Sequence, residues 1–415
     1  MEPNNEMKQE RPAGGCVGIV AEFDPFHLGH QFLLNRVRKA YPDRGIICVM
    51  SGSFTQRGSA AALDKFARAE MALMGGADLV LELPLLWAAS SAESFARGGV
   101  QCLLDTGLVE VLAFGSEDGD LSQLRRTAET LDSGAYPPLL REGLGQGLSF
   151  AAARQRAAEA LSGAAGGCLA GANNNLGVEY LRALRHFGRE DLEVFTVARR
   201  GAAHNSMDTH SPAVSASRLR AWMGAGQWEA LPPCLPPASL EVILAQRDLG
   251  RCPARLEGCE TGILARLRAM EPEELTRLPG WEPGLEHRLR AAAREAVTLA
   301  ELYDRAKTRR APEARIRRLV LWAFLGLRGD QRPERVPYLR VLGCTGRGRG
   351  LLRGMKQQAK LPLLTKPGQI RRLGESGQRV FSLEARATDL WQLCLPAPDQ
   401  RRGGQEWLRS PVILP

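Results

Sequence analysis

Five short apolar runs, at 16–21, 45–50, 78–83, 109–114 and 192–197, punctuate the first 200 residues of this 415-residue chain, and helical patterns fill the gaps between them. Each run has the length of a strand and few polar residues, as strands covered on both faces require. The first gap places apolar residues at Phe32, Leu33, Val37 and Ala40, the second at Leu63, Ala67, Met71 and Met74. Alternation at this spacing predicts an α/β fold, a Rossmann-like parallel sheet covered by helices through right-handed crossovers. Ligands bind such sheets beyond the carboxyl ends of the strands. The polar clusters fall there: His27 and His30, Ser51 to Arg57, Glu82, Gly115 to Glu117, and Arg199 with Arg200.

The first strand-to-helix connection, Glu22-Phe23-Asp24-Pro25-Phe26-His27-Leu28-Gly29-His30, is the most specific of these clusters. A helix N-terminus offers unpaired N–H groups and a partial positive charge, which suit phosphate. Gly29 would let the backbone approach a ligand closely. Two imidazoles can donate to phosphate oxygens where charge builds during displacement at an α-phosphate. A second signal is Ser215-Ala216-Ser217-Arg218-Leu219-Arg220, just before a helix that includes Trp222. Serine there is also a routine N-cap. The functional reading gives Ser215, Ser217 and Arg220 to the outgoing pyrophosphate.

At this length two domains are expected and a large core is feasible. With 44% hydrophobic and 24% charged residues, the composition is that of a globular protein. The apolar run at 319–327 is too short to span a bilayer. Residues 1–15 are polar, lack the apolar stretch of a secretory signal and read as a disordered leader. The nine cysteines form no CxxC pair, so they read as reduced thiols of a cytoplasmic protein without a zinc site.

Charge is unevenly distributed. Residues 301–372 hold 19 Lys and Arg against 5 Asp and Glu, a balance of +14, while the rest of the chain sums to −5. A concentrated basic segment is the footprint of a nucleic-acid partner. Beyond about 230 the strand pattern stops, and Pro232-Pro233 and Pro236-Pro237 mark a linker. Helical stretches follow at 240–249, 261–270, 283–308 and 313–326. Lys307, Arg309 and Arg310, with Arg315, Arg317 and Arg318 on the helix after them, form one basic surface, and Arg349, Arg353 and Lys356 lead into another. The expected division is a catalytic unit at 16–230, a helical RNA-binding unit at 238–395 and a mobile tail at 396–415.

The segments GIVAEFDPFHLGH, VMSGSFTQRG, DKFARAEMAL, ADLVLELP, SAESFARG, FGSE, NNNLG, SASRLR, EGCE, KTRR, PYLRVLG and LPLLTK, with a weaker match at ATDLWQL, resemble the bacterial tRNA(Met) cytidine acetate ligase family, within the HIGH-type nucleotidyltransferase superfamily. They run from Gly18 to Lys366 in the family's order. The resemblance implies that acetate attacks the α-phosphate of ATP to give acetyl-adenylate and pyrophosphate. The N4 amine of the wobble cytidine of elongator tRNA(Met) then takes the acetyl group and AMP leaves. It implies His27, His30 and Arg220 as catalytic residues and an ATP-binding turn made of Val20, Ala21, the Glu22–His30 connection, Gln31, Phe32 and Leu33. Gly115, Asn173, Arg199, Arg200, Ser215 and Ser217 would complete the ATP site. Magnesium is expected with ATP, but no carboxylate cluster in the sequence identifies its ligands. Asp64 and Arg68, four residues apart beside Lys65, would either support the adenylate site or form a structural ion pair.

Three positions depart from the family pattern. Asp24 stands where Asn is usual, and an extra carboxylate would repel phosphate unless paired or turned away, or would assist a metal. His204 replaces Tyr, and Ala311-Pro312 replaces an aromatic-containing turn. The main alternative is a small-molecule adenylyltransferase using the same HxGH turn, against which the basic half of the chain argues.

Overall fold

The computed structural model describes residues 15–199 and 214–415, so Arg200, His204 and most of the expected leader lie outside the described residues. The five expected strands are present as β1 (Cys16–Ala21), β2 (Ile46–Ser51), β3 (Leu79–Leu83), β4 (Val109–Ser116) and β5 (Glu193–Ala198). They are joined by β6 (Leu339–Cys344), β7 (Leu363–Leu364) and β8 (Val412–Ile413) in one sheet of order β5-β4-β1-β2-β3-β6-β7, with β8 also on β6. β1 to β5 pair in parallel, and only β6 runs antiparallel to its neighbour β3. The chain winds outward through β2 and β3 on one side of β1, then returns to β4 and β5 on the other. The reversal between β1 and β4 opens the crevice in which such sheets bind ligands.

Alternate residues of each strand feed two cores. Val17, Ile19, Ile46, Cys48 and Met50 pack on helices α1 (Leu28–Ala40) and α2 (Lys65–Met74) through Leu34, Val37, Phe66 and Leu73. Cys16, Val20, Ile47 and Val49 face the opposite layer, with Phe95 and Val100 of the Ala92–Asp105 helix and Val178 and Leu181 of the Ala172–His186 helix. Both faces of the sheet are therefore buried, which accounts for the continuous apolar runs in the sequence.

The strand pattern does not stop at 230. The run Tyr338-Leu339-Arg340-Val341-Leu342 supplies β6, and a single arginine inside it obscures an otherwise apolar strand. That arginine is only 5% exposed, and it belongs to a buried charge cluster. Lys65 Nζ of α2 lies 2.6 Å from Glu82 of β3, 2.9 Å from Glu406 and 3.8 Å from Glu384. Arg340 pairs with Glu82 at 3.4 Å and with Glu406. The expected mobile tail thus packs into the protein: it inserts Glu406 into the cluster and adds β8 to the sheet. The stretch expected as one helix at 283–308 is two, Leu285–Glu295 and Leu299–Ala306. Ala296 is extended, and the Thr298 hydroxyl caps the second helix by accepting from the Glu301 N–H.

Three carboxylates share two cations in this cluster, and one of the three bears the imbalance. Burial and the charge of Glu82 push the Glu384 carboxyl up to about 7, while its Oε2 accepts the Leu85 N–H at 2.8 Å. The folded protein therefore holds a proton there that the unfolded chain releases near 4.5, so this group lowers stability as pH rises from about 4.5 through about 7. Glu384→Gln keeps the acceptor for Leu85 and removes the charge. Its melting temperature should exceed that of the parent at pH 8 and match it near pH 5. A lower melting temperature at pH 8 would show that the ionised carboxylate is needed in the cluster.

Candidate active site

The turn after β1 is built on backbone requirements. Phe23 has φ +47, a left-handed conformation rare for an aromatic residue. Its ring is 1% exposed and meets Phe26 edge-on at 5.1 Å and His30 edge-on at 5.0 Å. His27 is the N-cap of α1. Its Nδ1 accepts the Gly29 N–H at 3.0 Å, and His30 Nδ1 accepts the His27 N–H at 3.3 Å. This is a capping box made from two imidazoles where Ser or Thr and Glu are usual. The rings stack with centroids 3.8 Å apart and planes 16° from parallel. A Cβ on residue 29 would lie 2.9 Å from His27 Cε1, so the glycine makes room for the histidine ring.

Two consequences follow. With both Nδ1 atoms accepting from backbone amides, each neutral ring carries its proton on Nε2. Burial and the charge of Arg199 push His27 down to about 3, and burial, His27 and Arg199 push His30 well below its ordinary value. The turn therefore presents two neutral Nε2–H donors, held parallel at a helix N-terminus. Arg199 is the cation whose charge acts on both rings. Arg199 is tied to the end of β4 by its N–H, which donates to Ser116 O at 3.0 Å.

Arg220 comes from the Ala216–Gly224 helix. It donates to Asp24 O at 2.6 Å and Ser217 Oγ at 3.1 Å, and lies 3.6 Å from Asp24 Oδ2. Ser215 Oγ caps that helix by accepting the Arg218 N–H at 3.3 Å, so the routine role holds for this serine. Asp24 is 2% exposed, and its Oδ1 accepts the Ala62 N–H at 2.8 Å. The extra carboxylate is thus turned inward and paired.

The Ala172–His186 helix starts at Gly171, which has no side chain to cap it. Glu117, beyond β4, fills that role: it accepts the Asn173 N–H at 3.0 Å, Asn173 Nδ2 at 2.8 Å and the Asn174 N–H at 2.6 Å. Asn174 returns the contact by accepting the Glu117 N–H at 2.9 Å. Asn173 is left with its amide oxygen for a ligand, and the space above Gly115 meets only Val197 O at 3.8 Å. Sequence reasoning passed over Glu117 as the anchor, although a helix opening on glycine needs a donated cap. Val20, Phe23, Pro25 and Phe26 are buried, so within the Val20–Leu33 stretch they offer a ligand main chain only.

The suggested Asp64–Arg68 pair is not formed. Asp64 caps α2 and lies 3.2 Å from Arg409, while Arg68 donates to the carbonyls of Glu22, Ser51, Gly52 and Leu63.

The expected basic residues divide between two poles of the sheet. The Glu313–Phe324 helix lies at the carboxyl ends, where Arg318 reaches Gln56 O at 3.4 Å and Trp322 Nε1 donates to Ala89 O at 2.6 Å. Arg315 is committed to Glu282 and Gly280 O, and Arg317 to Glu313 and the face of Tyr303. Arg318 has no carboxylate partner among the described residues, and burial and Arg315 pull it down to about 10. Lys307 pairs with Asp304, and Arg309 and Arg310 are exposed. Arg349, Arg353 and Lys356 sit on the Gly346–Gln358 helix at the other pole. There Leu351 covers Gly45, just before β2, and the Thr345 N–H donates to Asp78 O, just before β3, at 3.0 Å. They do not join the first group.

Among the described residues no group of three His, Cys, Asp or Glu gathers to hold an ion, and no helix is long and apolar enough to cross a membrane. The Asp24–Arg220 contact gives a test at the site. Asp24→Asn keeps the acceptor for Ala62 and frees Arg220 for an anion. The KM for ATP should fall about two- to fivefold, the scale of one long charge pair between a buried carboxylate and a partly exposed arginine. An unchanged or higher KM would make Asp24 a required anchor of Arg220.

The HIGH Nucleotidyl Transferase family model matches residues 15–406. The tRNA(Met) cytidine acetate ligase of Syntrophomonas wolfei is 36% identical over 95% of this chain and 99% of its own length. That of Acetivibrio thermocellus is 33% identical over 96% and 99%. Crystal structures of Thermotoga maritima TmcAL, apo and bound with alpha-thio ATP, superpose with TM-scores of 0.92 and 0.89 at 32% and 31% identity. Each covers 96% of this chain and 99% of the other. This chain therefore belongs to the HIGH nucleotidyl transferase family and, within it, to the tRNA(Met) cytidine acetate ligases.

Proposed function

We propose that this chain activates acetate with ATP and acetylates N4 of the wobble cytidine of elongator tRNA(Met) in the cytoplasm. The observation that carries this reading is the pair of neutral Nε2–H donors of His27 and His30, flanked by Arg199 and Arg220 at the sheet's switch point. In the first step an acetate oxygen attacks the α-phosphorus and the bond to the β-phosphate oxygen breaks. The two imidazoles donate to the α-phosphate as its charge grows, without needing a proton from solution. Arg220, Ser217 and the N–H groups of the Ala216–Gly224 helix hold the departing pyrophosphate. Gly115 leaves room for adenosine, and Asn173, steadied by Glu117, contacts it. Magnesium would supply further charge neutralisation and arrive on the triphosphate.

In the second step the cytidine amine attacks the acetyl carbonyl and AMP leaves. The RNA face proposed for this step centres on Arg318, which lies at the same pole as His27, with the exposed Arg309 and Arg310 just before its helix. Arg349, Arg353 and Lys356, on the helix at the amino ends of the strands, are left out of this face.

AMP release from ATP should require both acetate and tRNA(Met), with acetyl groups appearing on the RNA. His27→Ala or His30→Ala should abolish acetyl-adenylate formation while leaving tRNA bound. Release indifferent to acetate would replace the ligase reading with a small-molecule adenylyltransferase. For the RNA face, Arg318→Ala should lower the slope of log affinity against log salt by about one, and Arg353→Ala should leave it unchanged. The opposite result would move the RNA to the amino ends of the strands.

A further inference from the structure

We infer that Glu22 is the base that removes the proton from the cytidine N4 amine during acetyl transfer, an assignment that rests on the proposed ligase reading. Glu22 follows β1 directly and stands five residues before His27, at the carboxyl end of the central strand. Glu22 lies in the turn that the family resemblance assigns to ATP, but a carboxylate would repel the phosphates that the rest of the turn attracts, so within that turn it offers ATP its main chain and leaves its side chain for another role. Its arrangement suits a proton acceptor. Oε1 accepts the Gln56 N–H at 2.7 Å, Oε2 has no hydrogen-bond partner among the described residues, and the residue is half-buried.

The groups facing it set its basicity. Burial raises its pKa above the ordinary carboxylate value and the charge of Asp24 adds to this, against the opposing pull of the Gln56 N–H, Arg220 and Arg68, and Tyr180 of the Ala172–His186 helix lies near enough to feel its charge. A carboxylate raised in this way is a stronger base than one in water. The other carboxylates near these strand ends are already used. Asp24 serves Ala62 and Arg220, Glu117 caps the Ala172–His186 helix, and Glu82 is sealed in the Lys65 cluster.

Gln56 connects this carboxylate to the proposed RNA face. Its N–H holds Glu22, its carbonyl accepts Arg318 at 3.4 Å, and its Nε2 donates to Ser90 O at 3.1 Å. Two residues on, Gly58 has φ +77, and a Cβ there would lie 2.6 Å from the Arg318 backbone nitrogen. The loop and the basic helix are thus in backbone contact. A phosphate held at Arg318 would lie one loop residue, Gln56, from Glu22. In the transfer the N4 lone pair forms a C–N bond to the acetyl carbon. The mixed-anhydride C–O bond breaks with its electron pair leaving on AMP, and the N4 proton passes to Glu22 Oε2 and then to solvent.

Glu22→Gln is isosteric and keeps the acceptor for Gln56. The variant should retain acetate-dependent ATP–pyrophosphate exchange, which certifies its fold and its adenylation site. It should lose single-turnover transfer to tRNA(Met) by about 100-fold or more, the usual contribution of a positioned base, and lose the acid limb of the pH profile of that step. Transfer at the parent rate would overturn the assignment and give the proton to a phosphate oxygen of the adenylate. Equal loss of exchange and transfer would also overturn it, by making Glu22 part of adenylation. Should Glu22→Gln not fold, Glu22→Asp carries the same test, with transfer reduced and exchange retained. A parent enzyme that forms no acetylcytidine would instead bring down the ligase reading, and this assignment with it.

Discussion

Parallel strands run out of hydrogen-bond partners at their carboxyl ends, and the way this protein satisfies the exposed carbonyls determines the shape of its site. Arg68 is fully buried and donates to the carbonyls of Glu22 after β1, of Ser51 and Gly52 at the end of β2, and of Leu63. One guanidinium thus fixes where two neighbouring chain segments leave the sheet. A buried cation is costly unless its donors are filled, and here four carbonyls fill them while Asp24, Asp64, Glu22 and Glu82 balance its charge. The turn that carries His27 and the loop that carries Gln56 both start from this anchor.

One residue away from the same helix's cap, Lys65 does the equivalent work between distant parts of the chain. It gathers Glu82, Glu384 and Glu406, so that α2, β3, the Glu375–Gln392 helix and the last turn of helix share one charge cluster with Arg340 of β6. Buried charges add little net stability once desolvation is counted, but each has few places where it can be satisfied. β6 and the C-terminal segment are thereby fixed in register against the N-terminal sheet, and the chain closes into one continuous sheet.

The parallel sheet and its ligand end were legible because both depend on short-range patterns: apolar runs of strand length, and polar residues just after them. The turn was legible for the same reason, since His27, Gly29 and His30 act on each other within three residues. What sequence could not show depends on contacts between residues far apart. β6 was hidden by Arg340, whose charge reads as surface until Glu82 and Glu406 are placed beside it. Glu117 looked like a strand-end carboxylate because its partners, Asn173 and Asn174, lie more than 50 residues later. The charge count over 301–372 was correct but summed two surfaces, because the chain crosses the whole sheet through β6 between the Glu313–Phe324 and Gly346–Gln358 helices.

That crossing has a functional consequence. β6 runs antiparallel to β3, so it carries the chain from the ligand end of the sheet to the amino end. The Glu313–Phe324 helix before β6 therefore lies at the ligand end, and the Gly346–Gln358 helix directly after it lies at the amino end. The Glu313–Phe324 helix lies on the near side, and its contact with the loop at Thr55–Gly58 runs through backbone and through the Gln56 carbonyl. A loop held on one side by a basic helix and on the other by Glu22 is positioned by both halves of the site. Its geometry is set when the protein folds, so an RNA bound at the proposed face would meet a Glu22 carboxylate already held by the Gln56 N–H.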